Sequence, residues 1–185
     1  MKKSIISLIG LLLLCGQALG ASVDPAQSKV EWLGKKVTGE HKGTIKVKSG
    51  TLEMKDGKLT GGNIVIDMTT INTTDLSGEW KGKLDGHLNS PDFFNTADHK
   101  TATLKVTKVE AQKIDTFKVT GDLTIKKITK PVTFTVTKKG NKFTGKLTFD
   151  RTKFDVKYKS GSFFEGLGDK MIYDDVELSF TLATK

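Results

Sequence analysis

The residues best suited to chemistry are three histidines, each near a carboxylate in the sequence. His41 follows Glu40, His99 follows Asp98, and His87 precedes an aspartate by five positions. Imidazole and carboxylate groups bind transition metals, but such sites usually combine two ligands at a tight helical or turn spacing. No two of these histidines have that spacing. We therefore expect hydrogen-bonded or exposed histidines and no metal site.

Two further features could support hydrolysis, but neither has the pattern that hydrolysis needs. Ser90 precedes Pro91 without the flanking glycines of a nucleophile elbow, and this pair is typical of the start of a helical turn. Asp174 and Asp175 are adjacent, so in a strand their side chains point to opposite faces and do not converge. The sequence thus predicts no catalytic residue and no enzyme.

The first twenty residues have the pattern of a secretory signal peptide. A basic start is followed by an apolar run that ends at Cys15, and small residues precede a cleavage point after Gly20. We predict a signal peptide over 1–20, one domain over 21–185, and a secreted protein of the bacterial periplasm. The alternative is a lipoprotein modified at Cys15, although the preceding leucine is larger than a lipobox prefers. Because Cys15 is the only cysteine, cleavage after Gly20 excludes disulfides and thiol catalysis.

The chain is basic, with a net charge of +9 that falls to +7 when the two lysines of the predicted signal peptide are removed. The remaining lysines are spread between threonines, without the arginine clusters and interleaved aromatic residues of a nucleic-acid-binding face. We expect no nucleic acid partner. The lysines are typical of a solvated surface, and peripheral contact with an anionic membrane is the alternative.

The elements that must position these residues are strands. From Lys29 onward, apolar residues alternate with Thr, Lys, Asp and Glu at a period of two, which is typical of strands with one buried face. The pattern recurs over 30–32, 45–47, 64–68, 102–106, 117–125, 132–136, 143–149, 154–158 and 176–182. With a single apolar face, such a sheet must close on itself or fold into a sandwich.

Turn residues separate these segments. Asp56-Gly57 and Gly140-Asn141 lie between alternating runs and predict antiparallel hairpins. A further turn is predicted over 128–131, with Pro131 at the start of the next strand because proline cannot donate to a ladder.

One long interval, over about 75–95, does not have the strand pattern. Apolar residues and one histidine recur at a spacing of three and four, which predicts an amphipathic helical insertion: Leu76, Trp80, Leu84, His87 and Leu88. We predict that the segment after it, through Phe93 and Phe94, closes the end of a barrel. A second interval over 160–170 contains Phe163 and Phe164 and is typical of a loop at an open end.

A small antiparallel barrel of about eight strands either fills its interior with side chains or leaves room for one small ligand. Connections as long as these two are often functional, which favours a pocket with a mouth and a lid. A fully packed core is the alternative.

Several segments are specific in combination. They are G-N-I-V-I-D-M at 62–68, H-L-N-S-P-D-F-F at 87–94, G-D-L-T-I-K-K-I-T-K-P-V at 121–132 and R-T-K-F at 151–154. In this order they resemble the YceI-like family, and the similarity runs from about Val30 to Leu182. The chain departs from the family pattern at Asp155, where glycine is frequent.

The resemblance implies an all-β, lipocalin-like domain: an extended eight-stranded antiparallel barrel with one helical insertion. Its lumen would hold a long-chain isoprenoid, an isoprenoid quinone or a similar amphipathic lipid, with no other cofactor and no catalytic residue. The expected ligand-binding residues are the inward apolar set, namely Trp32, Ile45, Val47, Ile64, Ile66, Leu104, Val106, Phe117, Val119, Leu123, Phe134, Phe149, Phe154, Leu178 and Phe180. The expected mouth and lid residues are His87, Phe93, Phe94, Arg151, Phe163 and Phe164.

The alternative function is a ligand-free structural or stress-related interaction protein that acts through its basic surface. The sequence leaves the oligomeric state open, with a dimer among the options.

Overall fold

The structure is a computed structural model that describes residues 19–185. Most of the predicted signal peptide, including Cys15, lies outside the described residues. The elements in chain order are β1 (Leu19–Ser22), β2 (Lys29–Lys36), β3 (Gly39–Lys55), β4 (Lys58–Thr73), α1 (Gly78–Asn89), β5 (Thr101–Lys113), β6 (Thr116–Ile125), β7 (Ile128–Lys139), β8 (Lys142–Asp150) and β9 (Ile172–Ala183). Short 3-10 turns cover Arg151–Phe154 and Gly168–Lys170.

Eight of these strands form a closed antiparallel barrel. The order is β3-β2-β9-β8-β7-β6-β5-β4, and pairing between β3 and β4 closes the ring. The short strand β1 pairs with residues 51–54 of β3. The predicted eight-stranded, all-β barrel with one helical insertion is therefore confirmed.

The alternation of residue types explains why the barrel has one dry face. Along β6, Phe117, Val119, Leu123 and Ile125 are buried, while the threonines and lysine between them face outward. The same inward sets on the other strands form one continuous hydrophobic core. Burying each such side chain contributes roughly 1.5–3 kcal/mol, so the pattern fixes the register of every strand.

Two of the predicted hairpin turns are correct. Asp56 and Gly57 have φ values of +52° and +76°, the left-handed pair that a tight hairpin between β3 and β4 requires. Gly140, with φ +62°, begins the turn between β7 and β8.

The turn predicted over 128–131 is wrong. The chain reverses two residues earlier, at Lys126 and Lys127, which both adopt left-handed φ values, and β7 already begins at Ile128. Pro131 lies inside β7 opposite Asp122 of β6, at a point where β7 has not yet begun to pair with β8. Its missing N–H therefore costs no ladder hydrogen bond on that side.

Alternating strand direction gives the barrel two different ends. One end, called the mouth end, carries the β2–β3 turn, α1, the β6–β7 turn and the segment 151–171. The other end carries the remaining hairpin turns and is closed by buried side chains, among them Val23, Phe143 and Leu182. None of the helices in the described part of the chain is long and apolar enough to cross a membrane.

The insertion contains the predicted helix, although its buried face is narrower than expected. Leu88 is buried, whereas Trp80 is 69% exposed and does not contribute to packing. The Asp85 carboxylate accepts the backbone N–H of Thr73 at 2.8 Å, which ties the helix to the end of β4. A turn does start at Ser90, as expected, because the N–H of Phe93 donates to the Ser90 carbonyl at 3.0 Å. The Ser90 hydroxyl does not cap this turn: it donates, together with the Ser90 N–H, to the carbonyl of His87 at the C-terminal end of α1.

The segment 154–158 does not form the strand that the alternating pattern predicted. Its alternating residues Phe154 and Val156 are buried, but Phe154 is the last residue of the 3-10 turn at the mouth end and Val156 follows that turn. Asp155 terminates this turn with φ +58°, a left-handed conformation that glycine would adopt without strain.

Candidate functional site

The interior of the barrel contains a cavity of about 240 Å³ with an almost wholly apolar wall. Every one of the eight barrel strands contributes inward side chains, and α1 and Phe93–Phe94 lie at its upper end. Ligand pockets in proteins typically measure roughly 300–1,000 Å³, so this cavity is slightly smaller than that range. The barrel is therefore only partly filled by its own side chains.

The structure places most of the expected lumen residues on this cavity. Twelve of the fifteen line it: Trp32, Ile45, Ile64, Ile66, Leu104, Val106, Val119, Leu123, Phe134, Phe149, Leu178 and Phe180. The other three, Val47, Phe117 and Phe154, are buried but do not line the cavity. Further inward residues that the expected set omitted do line it, including Leu52, Met68 and Leu147.

Two glycines shape the wall in a way that the sequence pattern did not predict. Gly43 pairs with Trp32 across β2 and β3, and Gly145 pairs with Phe180 across β8 and β9. A Cβ atom on Gly43 would lie 2.5 Å from the Trp32 indole, and one on Gly145 would lie 2.6 Å from the Phe180 ring. Both aromatic rings therefore lean over the neighbouring backbone, which leaves space in the lumen. In the sequence, the signal for this arrangement is a glycine at an inward strand position opposite an inward aromatic residue on the neighbouring strand.

The upper end of the cavity is closed by aromatic rings. The His87 ring lies edge-on to Tyr158 and Phe93, with centroid distances of 4.5 and 5.3 Å, and Phe94 packs against Phe93 at 5.3 Å. Burial lowers the pKa of His87, although Asp92 partly opposes this effect, so the imidazole is neutral at pH 7. Its Nε2 atom is buried and has no hydrogen-bond partner within residues 19–185.

Arg151 does not provide the free donors that a headgroup site would need. Only 1% of this residue is exposed, and its guanidinium donates to the backbone carbonyls of Val156, Ile172 and Tyr173 at 2.7–3.1 Å. Nη2 also lies 3.4 Å from a carboxylate oxygen of Asp174. Burial lowers the pKa of Arg151, with Asp174 and Asp150 opposing, but the group keeps its charge. These contacts correct the expected role: Arg151 fastens the mouth-end segment to β9.

An opening in the mouth end leads into the cavity beside α1. Lys36, His41, Leu84, His87 and Ile172 line both the opening and the cavity. The outer rim is polar and includes Thr38, Lys159, Asp169 and Lys170. The opening thus joins an apolar interior to a polar rim.

His41 is held at this opening by Asp75. Nδ1 of His41 lies 2.8 Å from one Asp75 carboxylate oxygen, and the other oxygen accepts the backbone N–H of Lys42 at 3.1 Å. Burial alone would raise the pKa of Asp75, but these two hydrogen bonds outweigh it and lower that pKa. The carboxylate is therefore ionised and fixes the orientation of the imidazole.

Phe163 and Phe164, expected at the mouth or lid, do not line the cavity. They are 52% and 50% exposed and lie on the outer surface of the mouth-end loop, where Lys157 lies over the Phe163 ring at 5.0 Å. The N–H groups of both phenylalanines donate to the carbonyl of the buried Ser160, and the hydroxyl of Ser162 donates to Asp174 of β9 at 2.6 Å, which holds the loop with both rings facing solvent. Within the described part of the chain, no group of three or more His, Cys, Asp or Glu side chains could hold a metal ion.

Comparisons with known proteins agree with this architecture. The model of a family described as YceI-like domain matches residues 22–184. Protein YceI of Escherichia coli O157:H7 is 37% identical over 91 residues, which is 49% of this chain and 45% of that protein. A UPF0312 protein of Azotobacter vinelandii is 32% identical over 90 residues, again 49% of this chain and 45% of the relative. The matched segment thus spans about half the length of these curated relatives.

Solved structures of low sequence identity share the fold. BcnA of Burkholderia cenocepacia superposes with a TM-score of 0.71 at 22% identity, covering 88% of this chain and 99% of that one. A polyisoprenoid binding domain from Saccharophagus degradans, implicated in plant cell wall breakdown, gives 0.60 at 15% identity, covering 91% and 99%. A YCEI protein of Campylobacter jejuni gives 0.52 at 18% identity, covering 100% and 90%.

Proposed function

The chain belongs to the YceI-like family, and from that premise we propose that it is a lipid-binding protein. Its barrel sequesters or carries a long-chain isoprenoid, an isoprenoid quinone or a similar amphipathic lipid. The tail occupies the cavity, and the head lies at the opening beside α1.

The apolar cavity is the observation that carries this proposal. Empty space in a protein interior costs about 24 cal/mol per Å³, so a vacant cavity of 240 Å³ would cost roughly 6 kcal/mol. That is as large as the whole stability of many domains, roughly 5–15 kcal/mol. Water gains little there because almost no wall atom can hydrogen-bond to it. An apolar ligand removes the cost.

The shape of the ligand follows from the distribution of polar groups. Each methylene that enters the lumen contributes about 0.8 kcal/mol, so an extended chain is favoured over a compact head. Polar groups that could contact a head lie at the opening, where His41, Lys36 and Lys159 form part of the rim. The shared fold with a domain named for polyisoprenoid binding supports a chain of this kind.

We further propose that the protein is secreted into a bacterial periplasm after cleavage following Gly20. Cleavage there would remove the two outer pairs of β1 and keep Ala21 and Ser22 paired to β3. The mass of the mature N-terminus tests this, because a lipid-modified Cys15 would give a different, heavier N-terminal residue.

No enzymatic activity is proposed. The surface of the cavity wall is almost wholly apolar, and the guanidinium of Arg151, which lines it, donates to three backbone carbonyls. The competing function is a ligand-free barrel that acts through its surface.

Native mass spectrometry of gently purified protein tests the lipid-binding proposal. We expect a bound species with the mass of a long-chain lipid. In a Trp80→Phe variant, Trp32 is the only tryptophan, and because it lines the cavity its emission should change when a lipid is added. In the Trp32→Phe variant, the exposed Trp80 should not respond.

A matched pair of variants on one strand separates lumen binding from surface binding. Val106→Trp places a large ring in the cavity, whereas Lys105→Trp places the same ring on the outer face of β5. We expect lipid uptake to fall in the first and to persist in the second. A purified barrel that is empty and takes up no apolar ligand would support the ligand-free function.

A further inference from the structure

The positive charge of the barrel is confined to one half of its wall. Residues 101–150, which form β5 to β8 and their turns, contain eleven lysines and four carboxylates, a net charge of +7. The remaining described residues, 19–100 and 151–185, have a net charge of zero. These four strands are neighbours in the barrel and form half of its circumference.

The outward face of these strands, called here the basic wall, is open to solvent. Its seven outward lysines are all exposed: Lys105, Lys108, Lys113, Lys118, Lys139, Lys142 and Lys146. The strand register aligns some of these lysines across the sheet. Lys118 of β6 and Lys146 of β8 both pair with Thr135 of β7, one on each side of it. Within residues 19–185, only Lys108 of the seven has a carboxylate within 4 Å, that of Glu110 at 2.9 Å.

By contrast, the lysines on the rest of the barrel are often neutralised. Lys35 pairs with Glu177 at 2.6 Å, Lys83 with Glu79 at 2.7 Å, and Lys157 with Asp155 at 3.1 Å. On the basic wall, by comparison, only Lys108 of the seven lysines has such a partner within the described residues. Like charges on neighbouring strands repel one another, and an anionic surface that covers the wall would relieve this repulsion.

The chemistry of the basic wall favours a lipid bilayer over a nucleic acid. Arginine binds single phosphate groups through two hydrogen bonds of its guanidinium. The only arginine of the sequence, Arg151, is buried, so the basic wall has none. Of the exposed large hydrophobic residues in the described chain, only Ile114, at the tip of the β5–β6 hairpin, belongs to this half, so no aromatic ring is offered for base stacking. Spread ammonium groups fit a fluid layer of anionic headgroups, to which each contributes independently.

We propose that the basic wall docks the protein on the surface of an anionic phospholipid bilayer. The opening of the cavity lies among β2, β3, α1 and the start of β9, on the other half of the barrel. Docking through β5 to β8 therefore leaves the opening uncovered. Attachment to the membrane and exchange of the bound lipid use different surfaces, so this inference does not require the lipid-binding proposal to hold.

Sedimentation with vesicles tests the docking face. The full mature protein is mixed with phosphatidylcholine vesicles, with and without phosphatidylglycerol, at several salt concentrations. Two triple variants lose the same three charges, one on the basic wall and one elsewhere on exposed, unpaired positions: K118Q, K142Q and K146Q against K48Q, K58Q and K100Q. Neither set touches the cavity, so lipid uptake, followed through Trp32, serves as the folding control.

We expect binding to the anionic vesicles alone, weakening as salt is raised. Each lysine held at an anionic surface contributes about a fivefold gain in affinity, so the wall variant should bind roughly 100-fold more weakly, and the control variant should bind nearly as the wild type does. Lipid uptake should be the same in all three proteins. If the wild-type protein takes up no lipid, the lipid-binding function is refuted, but the docking result is unaffected.

Three outcomes would overturn the docking proposal. Equal weakening in both variants would show that only the net charge matters. Binding to phosphatidylcholine alone, with a blue shift of Trp80 emission, would assign docking to the exposed aromatic residues of the mouth end. Tighter, salt-sensitive binding to DNA than to the anionic vesicles would assign the wall to nucleic acid.

Discussion

Replacing Phe93 with Ala is expected to lower the free energy of unfolding by about 3 kcal/mol. Phe93 is only 6% exposed, and its ring packs between His87, Phe94 and the guanidinium of Arg151, which lies 5.6 Å from the ring centroid. Buried Phe→Ala substitutions cost about 3–5 kcal/mol through lost transfer energy and the cavity left behind. Part of the vacated space joins the existing lumen, which Phe93 already lines, so the lower end of that range applies.

Urea unfolding followed by fluorescence measures this loss, and Phe163→Ala is the matched control. Phe163 lies at the same end of the barrel but is half exposed and outside the cavity. Its replacement should change stability by no more than about 0.5 kcal/mol, as is usual for surface positions. An unchanged denaturant slope in both variants would show that the compared states are the same.

The same substitution should also speed the release of bound lipid. Phe93 belongs to the aromatic group that closes the upper end of the cavity, so its loss widens the exit. Dissociation rates of a preloaded lipid, measured with Trp32 as the reporter, should rise for Phe93→Ala and stay constant for Phe163→Ala. If Phe93→Ala were as stable as Phe163→Ala and retained lipid equally well, the assignment of Phe93 as the closure would be wrong.

Three further outcomes follow from the same structure. Arg151→Met should cost about 3–5 kcal/mol, because it leaves buried carbonyls without donors, and Arg151→Lys should recover only part of this, since an ammonium cannot span the same acceptors. Gly145→Ala should cost about 1–3 kcal/mol because the added methyl group would meet the backbone carbonyl of Thr135 and the ring of Phe180. Gly86→Ala, on the open face of α1, should stabilise the protein by up to about 1 kcal/mol, and thermal unfolding compares the two variants. Because burial depresses the pKa of His87, the unfolded chain binds the proton more readily, so stability should decline as pH falls below about 6.5, and His87→Leu should flatten that slope in urea titrations.

The barrel was predictable because each strand has one buried face. Inward positions such as Val119 and Leu123 must be apolar, and the intervening positions need not be, which produces the period of two. Asp56-Gly57 was recognisable as a turn because few residues other than Gly, Asn and Asp adopt left-handed φ values at low cost.

The turn at Lys126 and Lys127 was not predictable for the opposite reason. Lysine carries no preference for left-handed φ, and the conformation depends on a tertiary contact, in which Nζ of Lys126 donates to the carbonyl of Asp155 at 2.9 Å. The segment after Phe154 was misassigned because alternating burial arises wherever a chain crosses the end of a core, whether or not it pairs with a strand.

The mouth residues divide along a similar line. Phe93 and Phe163 look alike in the sequence, because each is the first of two adjacent phenylalanines in a long connection. Their difference arises from distant contacts: Phe93 meets His87 and Arg151, while Phe163 meets only the chain around it. Pattern alone could therefore identify apolar residues near the mouth, but not which of them close it.

The outer surface of the barrel obeys no such packing constraint, and this gives its charge distribution meaning. β6 and β7 have the same inward pattern as β2 and β9, because all four must face one lumen. Their outward residues could differ freely without affecting the fold, since exposed substitutions usually change stability by less than about 0.5 kcal/mol. A random distribution would spread the excess lysines around the circumference. Instead, the half formed by β5 to β8 has a net charge of +7, and the rest of the described chain has a net charge of zero. This difference in net charge between the two halves has no role in folding, and repulsion among the lysines of the basic wall opposes it. Binding to an anionic surface is the physical reason that the structure supports for this distribution of charge.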